Sequence, residues 1–158
     1  MDATLHTKIL KLLDQHRLMS LATLRPDGWP QTTTVGYVSD GLNLYFMCGK
    51  NSQKAKNLAR DNRVSLAIDS DTSDPMAICG LSMAARATPV MDQELIRRTM
   101  LTMLPKKYPE YLKMMGQLDL GGVAVFRLSP EVISVLDYSK GFGHTDQVTV
   151  SAADRAAA

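Results

Sequence analysis

The chain has 158 residues, of which 45% are hydrophobic and 22% charged, and this composition predicts a single globular domain with an ordinary hydrophobic core. Its formal net charge of +2 is too small for a broad nucleic-acid-binding surface, so any cationic feature should be local and suited to one small anion. Lys8, Lys11 and Asp14 interrupt the apolar residues near the start, and no apolar run is long enough to span a membrane. We therefore expect a cytoplasmic protein without a signal peptide.

The first half of the chain predicts one helix followed by an antiparallel meander. Apolar residues recur at helical spacing from Thr4 to about His16. Strands are expected at residues 18–24, 30–38, 42–47 and 63–69, because these runs are rich in apolar and β-branched residues. Turn signals at Asp27 with Gly28, and at Asp40 with Gly41, make the connections hairpins.

The second half predicts more strands and two helices. Residues 76–90 are too long for one straight strand, and Gly80 is expected to mark a bend or bulge. A helix is expected at 92–103, separated by Pro105 and Pro109 from a shorter one at 110–115, and then two strands around Pro130 within 121–139. About six strands with inserted helices predict a mainly β fold, an antiparallel β-barrel with helical additions, over residues 1–146. Residues 147–158 are expected to form a frayed tail.

The stretch "CGKNSQKAKNLARD" predicts a short helix whose charges are reversed. Asn51 and Ser52 are good N-cap residues, yet Lys50, Lys54 and Lys56 crowd the positive end of the helix dipole without a balancing acid. A bound phosphate would turn this unfavourable arrangement into a favourable one. The alternative is a solvated lysine-rich surface helix.

Two further segments are candidates for a ligand site. Thr32, Thr33 and Thr34 send hydroxyl groups to both faces of one strand, although β-propensity alone also explains them. The segment "DYSKGFGHTD" keeps Tyr138, Phe142 and His144 together on a glycine-rich turn.

The sequence offers no convincing side-chain nucleophile or metal site. The three histidines are scattered, and Cys48 and Cys79 lie in apolar surroundings as expected of buried free thiols. If the protein is an enzyme, a bound cofactor should therefore carry the chemistry.

Taken together, these segments resemble the pyridoxamine-phosphate-oxidase-like family of FMN-binding split β-barrels, and within it the general stress protein branch. The resemblance covers nearly the whole chain and rests on "LATLRPDGWPQTTTVGYVSDGLNLYFMCGKNSQKAKNLARDNRVSLAID", "ARATPV" and "VLDYSKGFGH". It implies an antiparallel split β-barrel that binds FMN between the two subunits of a homodimer and exchanges electrons with a small-molecule donor or acceptor.

The resemblance also implies roles for individual residues. The strand that holds Thr32, Thr33, Thr34 and Val35 would line the flavin ring and ribityl chain, with Met47 and Cys48 beside the flavin. Ser52 and Lys54 match the phosphate-binding Ser-Arg-Lys element, in which Gln53 here replaces arginine and Lys50 could substitute for it. Tyr138, Phe142 and His144 would reach the flavin of the other subunit, with His144 as a candidate proton donor. The resemblance thus implies a role at the flavin site for Thr32, Thr33, Thr34, Val35, Met47, Cys48, Lys50, Ser52, Lys54, Tyr138, Phe142 and His144.

The sequence also departs from true pyridoxamine-phosphate oxidases. Those enzymes carry a C-terminal Arg-x-His element, whereas this chain has "GFGHTD" and no second concentration of phosphate donors. An oxidoreductase of another substrate is therefore expected. The alternatives are a flavin-binding stress or sensor protein without turnover, and a split barrel that binds a deazaflavin cofactor or haem.

Overall fold

A computed structural model describes residues 1–114 and 120–156. The described part of the chain contains eight strands: β1 (Leu18–Leu24), β2 (Pro30–Gly36), β3 (Val38–Asp40), β4 (Asn43–Gly49), β5 (Arg63–Asp69), β6 (Cys79–Pro89), β7 (Val123–Asp137) and β8 (Thr145–Thr149). It also contains six α-helices: α1 (Ala3–Gln15), α2 (Gln53–Arg60), α3 (Gln93–Arg98), α4 (Leu104–Lys107), α5 (Tyr111–Met114) and α6 (Ala152–Ala156). None of the described helices is both long enough and apolar enough to cross a bilayer.

The strands form one curled antiparallel sheet, and this confirms the predicted mainly β split barrel. The strand order is β2-β1-β5-β6-β7-β4-β3, and β8 pairs with the second half of β7. Every neighbouring pair is antiparallel, as expected of a chain connected mainly by hairpins and short insertions. β2 and β3 lie at the two ends of this order, so the barrel is split between them.

Two hydrophobic clusters hold the fold together. The main core fills the inside of the sheet, and α1 contributes Ile9 and Leu13 to it, both fully buried. The second cluster lies outside β3 and β4, where Tyr45 packs with Leu104 and Tyr111. The helices after β6 therefore pack against the outer face of the sheet, beside the end of β2.

The predicted pair of strands around Pro130 is wrong, because β7 is one strand of 15 residues. Its pairing with β6 shifts register between Ala84 and Ala85, where Ala84 faces Val132 and Ala85 faces Pro130. The extra residue on β7 is a β-bulge, which lets a strand continue past a proline that cannot donate to the ladder. A bend or bulge was expected at Gly80 in the partner strand, and the bulge alternative is wrong, because the pairing register is regular there.

Of the two prolines predicted to break the helix, Pro105 does not end it, whereas Pro109 lies in the turn between α4 and α5 as predicted. The chain passes from α3 through a π-helical turn, Thr99–Met103, directly into α4, which contains Pro105. Proline has no N–H for the α-helical ladder, and the wider π turn just before it accommodates the missing bond. Of the predicted helix at 110–115, α5 covers Tyr111–Met114, and residue 115 lies outside the described residues.

The fold continues beyond residue 146, at which the predicted domain ended. β8 pairs with β7 from Thr145 to Thr149, and α6 follows it. The Arg155 guanidinium donates a 2.8 Å hydrogen bond to the Pro130 carbonyl, and the amino group of Met1 lies 2.9 Å from Asp154 Oδ1. The segment expected to fray thus contacts both β7 and the start of the chain.

We predict that Gly80→Ala destabilises the protein by about 1–3 kcal/mol. A Cβ atom on Gly80 would lie 2.6 Å from the main-chain oxygen of Ile68 on the neighbouring strand, so the paired strands would have to move apart. Urea unfolding followed by circular dichroism measures the loss. Gly49→Ala is the matched control, because nothing lies within 4 Å of the corresponding position. Equal stability of the two variants would contradict this role for Gly80.

Candidate functional site

The first turn of α2 exposes several hydrogen-bond donors. Ser52 is the N-cap, and its Oγ accepts a 3.2 Å hydrogen bond from Ala55 N, so its own hydroxyl hydrogen stays available. The N–H groups of Gln53 and Lys54 precede the first intrahelical bond and point out of the helix end. The first turn contains no acidic residue. These donors form a corner that suits an anion.

Lys54 adds a cation to this corner. Its side chain is half-buried, its Nζ lies 6.0 Å from the centroid of the Phe46 ring, and burial lowers its pKa, opposed by a smaller effect from Cys48. Among residues 1–114 and 120–156, no carboxylate lies within 4.0 Å of its Nζ. A half-buried ammonium group without a counter-ion is unfavourable, and a bound anion would relieve it.

A buried amide fixes the position of α2. Asn57 is fully buried, and its Nδ2 donates hydrogen bonds to Thr23 Oγ1 on β1 (3.0 Å) and to Gln31 Oε1 on β2 (3.2 Å). Its Oδ1 accepts a 2.9 Å bond from Gln53 Nε2. The side chain of Gln53 therefore points along the helix, which leaves its main-chain N–H at the corner. Asn57 was not predicted as a functional residue from the sequence. An asparagine beside Leu58 on the apolar face of a short helix is a signal that could have identified it as a buried polar contact.

A cavity of about 550 Å³ opens beside Gln53, between α2 and the turn that joins β1 to β2. Arg25, Asp27 and Gln31 line it as well. Arg25 Nη2 lies 2.6 Å from Asp27 Oδ2 in an exposed ion pair, so this cavity contains a guanidinium group that sequence reasoning did not single out. Lys50, by contrast, has an exposed side chain, and its main-chain N–H donates to the Gly122 carbonyl at 2.8 Å.

The structure separates the candidates on β2 between its two faces. Thr32 and Thr34 are exposed on the outer face, whereas Val35 packs against the main core. Thr33 is half-buried, and its Oγ1 is enclosed without a hydrogen-bond partner in the described residues. Because side chains alternate along a strand, these four residues cannot all face one ligand.

Met47 and Cys48 at the end of β4 are divided in the same way. Met47 packs against the second cluster on the outer face, and Cys48 against the main core. Cys48 and Cys79 are both free thiols, half-buried where full burial was expected. Of the two β4 candidates, Met47 shares the outer face with Thr32 and Thr34.

The C-terminal candidates lie at the far end of β7 from the Ser52 corner. Gly122, next to Lys50, immediately precedes β7, whereas the segment from Tyr138 to His144 follows it. The strand spans up to about 46 Å at 3.3 Å per residue, so this segment and the corner do not meet along one chain.

The turn itself presents Phe142 to solvent. The Phe142 side chain is 82% exposed and packs edge-on against Tyr138, with 5.6 Å between ring centroids. His144 Nε2 lies 3.1 Å from Asp146 Oδ1, and Asp146 also accepts a 2.8 Å bond from Lys140. Within the described ranges, no group of three or more His, Cys, Asp or Glu side chains could hold a metal ion.

The comparisons with known proteins agree with an antiparallel split barrel. The family model for pyridoxamine 5'-phosphate oxidase matches residues 5–137, and the chain therefore belongs to this family. This confirms the resemblance found in the sequence. No curated protein sequence matches the chain.

Solved structures share the fold. A conserved hypothetical protein from Mycobacterium tuberculosis is 25% identical with a TM-score of 0.74, over 96% of this chain and 92% of that one. A heme binding protein from Mycobacterium smegmatis is 23% identical with a TM-score of 0.73, over 94% of this chain and 58% of that one. General Stress Protein 26 from Bacillus anthracis is 13% identical with a TM-score of 0.68, over 92% and 98% respectively. The two latter similarities concern the fold alone.

We predict that Asp137, at the base of the C-terminal turn, makes stability depend on pH between about 4 and 2. Hydrogen bonds from Lys8 and Ser139 lower its pKa from 3.8 to about 2, so the unfolded chain takes up the proton first. Its stabilising contribution is present above pH 4 and lost as the pH falls through 2. Urea unfolding at several pH values should show that the stability advantage of the wild type over Asp137→Asn shrinks across this range. An advantage that stays constant with pH would contradict the assignment.

Proposed function

We propose that this protein binds FMN and works as a flavin-dependent oxidoreductase, as a homodimer in the cytoplasm. The main support is the half-buried ammonium group of Lys54 beside the N-terminal turn capped by Ser52, because no carboxylate of residues 1–114 and 120–156 lies within 4.0 Å of it. A phosphate dianion at this corner would accept hydrogen bonds from the main-chain N–H groups, the Ser52 hydroxyl and the ammonium group. It would also raise the lowered pKa of Lys54.

The chemistry of the surrounding donors fits a mononucleotide phosphate. Gln53 occupies the position at which the family's Ser-Arg-Lys element has arginine. Its side-chain amide donates a hydrogen bond to Asn57 Oδ1. Arg25 lines the cavity beside Gln53 and supports the proposal, because it brings a guanidinium group to the same side of α2. Lys50 is a second candidate for the phosphate contact that the arginine makes in the Ser-Arg-Lys element.

FMN, when bound, would supply the hydride-transfer chemistry. The residues of the chain would bind and orient it. Thr32 and Thr34 offer exposed hydroxyl groups on the outer face of β2, whereas Thr33 lies on the opposite face. Val35 and Cys48 would support the site only indirectly, because both pack against the main hydrophobic core. Oxidation of pyridoxamine phosphate is not part of the proposal, because the segment "GFGHTD" has no arginine for a second phosphate.

The outer face of the sheet supports a homodimer. Small side chains cover this face across three neighbouring strands, and the pairing register places Ser20 beside Ala67 and Ala67 beside Ser82. A patch of small, uncharged side chains suits contact with a second copy of the sheet. A partner would also bring its Phe142 and His144, which cannot join the Ser52 corner of their own chain, towards the flavin. His144 stays a candidate proton donor.

Haem is the second candidate ligand, favoured by the shared fold with a protein named as heme binding. The absorbance spectrum of freshly purified protein, with the mass of the released cofactor, distinguishes the candidates. FMN predicts a yellow protein with two bands in the visible and near-ultraviolet range. A Soret band would indicate haem, and a different released mass would indicate a deazaflavin. Either result would contradict the FMN proposal.

A flavin-binding stress or sensor protein without turnover is the remaining alternative. Reduction of the purified flavoprotein by NADH or NADPH in a single turnover, followed by reoxidation with a panel of acceptors, separates it from an enzyme. A bound flavin that neither accepts nor passes on electrons would exclude the oxidoreductase.

We predict that Lys54→Ala weakens FMN binding by about 1.5–3 kcal/mol, or roughly 10- to 150-fold, because a charged contact is lost. Ser52→Ala should also weaken binding. Fluorescence quenching of added FMN measures the affinity. Lys56→Ala is the matched control, since Lys56 lies exposed on the same helix and its removal changes the net charge equally. Unchanged affinity in the Lys54 and Ser52 variants would remove the phosphate assignment.

A further inference from the structure

A second cavity has no part in the proposed flavin site. It opens between the end of α1, β3 and the helical segment that follows β6, and its volume is about 560 Å³. None of the residues that line it also lines the cavity beside Gln53. Its polar lining includes Asp14, Arg17, Asp40, Arg98, Thr102, Lys106 and Lys107.

Lys107 contributes a half-buried amine to this cavity. Its Nζ donates a 2.8 Å hydrogen bond to the carbonyl oxygen of Leu13 in the last turn of α1, and it lies 3.8 Å from the centroid of the Tyr37 ring. In the described ranges 1–114 and 120–156, no carboxylate lies within 4.0 Å of this nitrogen. Lys107 therefore caps the C-terminus of α1, but with a charge whose burial is unfavourable.

The other charged side chains that line the cavity are either paired or exposed. Arg98 Nη1 lies 3.0 Å from Asp40 Oδ2, and Arg17 forms an ion pair with Glu110. The side chains of Asp14 and Lys106 are exposed. Lys107 thus differs from its neighbours, because its amine is both half-buried and distant from a described carboxylate.

The surroundings of Lys107 favour a neutral amine. Burial lowers its pKa from 10.5 to about 8, while Asp14 opposes this shift and Arg17 adds to it. The face of the Tyr37 ring also favours the charged form, so the pH profile described below measures the balance. At pH 8, about half of an amine with this pKa is neutral, against less than about 1% of an ordinary exposed lysine. A neutral amine has a lone pair and can act as a nucleophile.

We propose that Lys107 is a site of acylation at Nζ by a small acyl phosphate. The lone pair attacks the acyl carbon and forms a C–N bond, the bond from that carbon to the phosphate oxygen breaks, and the phosphate leaves with the electron pair and takes up one amine proton. Nothing is oxidised or reduced. The exposed Lys106 and the Thr102 hydroxyl line the same cavity and offer donors for the phosphate.

The product of this reaction suits the geometry around Lys107. An amide at Nζ keeps one N–H, which is the number of donors that the bond to the Leu13 carbonyl uses. It also removes the charge whose burial is unfavourable. The cavity volume of about 560 Å³ leaves ample room for an acetyl group.

The test follows the acetylation of individual lysines in the purified protein. Limiting acetyl phosphate is added at pH 8, and peptide mass spectrometry gives the initial rate at each lysine. We expect Lys107 to react at least about tenfold faster than Lys106, the exposed neighbour in α4 that serves as the matched internal control. In urea the two rates should become similar, because burial is lost. Equal rates in the folded protein, or a preference that persists in urea, would overturn the proposal.

The pH dependence of the reaction tests the neutral amine directly. The rate at Lys107 should rise about tenfold per pH unit and level off near pH 8, whereas the rate at Lys106 should continue to rise. Asp14→Asn should move the levelling point to lower pH, because the Asp14 carboxylate favours the ammonium form. Asp71→Asn is the matched control, since it removes an exposed acid that does not line the cavity. A rate at Lys107 that rises in parallel with that at Lys106 would contradict the proposal.

The outcomes are independent of the flavin proposal. Selective acetylation of Lys107 supports the acylation site even if the protein binds no FMN. Failure of selective acetylation overturns the acylation site alone, because Ser52 and Lys54 do not line this cavity.

Discussion

The candidate site depends on one buried amide. Asn57 bonds to Thr23 on β1, to Gln31 on β2 and to Gln53 in its own helix. α2 has only eight residues, too few to be stable alone in water, so its position must come from such contacts and from apolar packing. Loss of the amide would leave buried polar groups unpaired on two strands and free the helix that presents the corner. The N-terminal donors of α2 are therefore held beside the sheet before any ligand arrives.

The second constraint is electrostatic. α3 follows the ordinary rule, with Asp92 as N-cap, Glu94 in its first turn and Arg98 in its last. α2 departs from the rule at its start, with Lys54 in a first turn that has no acid, although Arg60 lies in its last turn. The same chain thus contains a helix whose first turn is electrostatically favourable and one whose first turn is not, and the latter carries a half-buried cation that no described carboxylate neutralises. A site prepared for an anion explains both the position and the burial of this charge.

The sequence was most informative where a signal is local. The bounds of β1 and β5, the N-cap at Ser52 and the antiparallel arrangement follow from turn residues, apolar runs and capping preferences that act over a few positions. The continuous β7 was missed because a bulge opposite Ala84 and Ala85 carries the strand past Pro130, and a bulge depends on the partner strand. Family resemblance assigned Thr33, Val35 and Cys48 to the ligand, but it does not specify the face of each side chain.

Contacts between distant parts of the chain were beyond sequence reasoning. Asn57 meets Thr23 across 34 positions, and Tyr111 packs with Tyr45 only because the helices after β6 fold back onto β4. The segment from Tyr138 to His144 was expected near the flavin of the other subunit, and β7 separates it from the corner of its own chain. Its assignment to the site therefore requires a second subunit, which connects the cofactor proposal to the oligomeric state.

The most direct test of the phosphate corner compares FMN with riboflavin, which has the same ring and ribityl chain but no phosphate. Titration of both into cofactor-free protein, for the wild type and for Lys54→Ala, isolates the contribution of the phosphate. We expect the wild type to bind FMN at least about tenfold more tightly than riboflavin, and most of this preference to disappear in Lys54→Ala. Equal affinities of FMN and riboflavin for the wild type would contradict it.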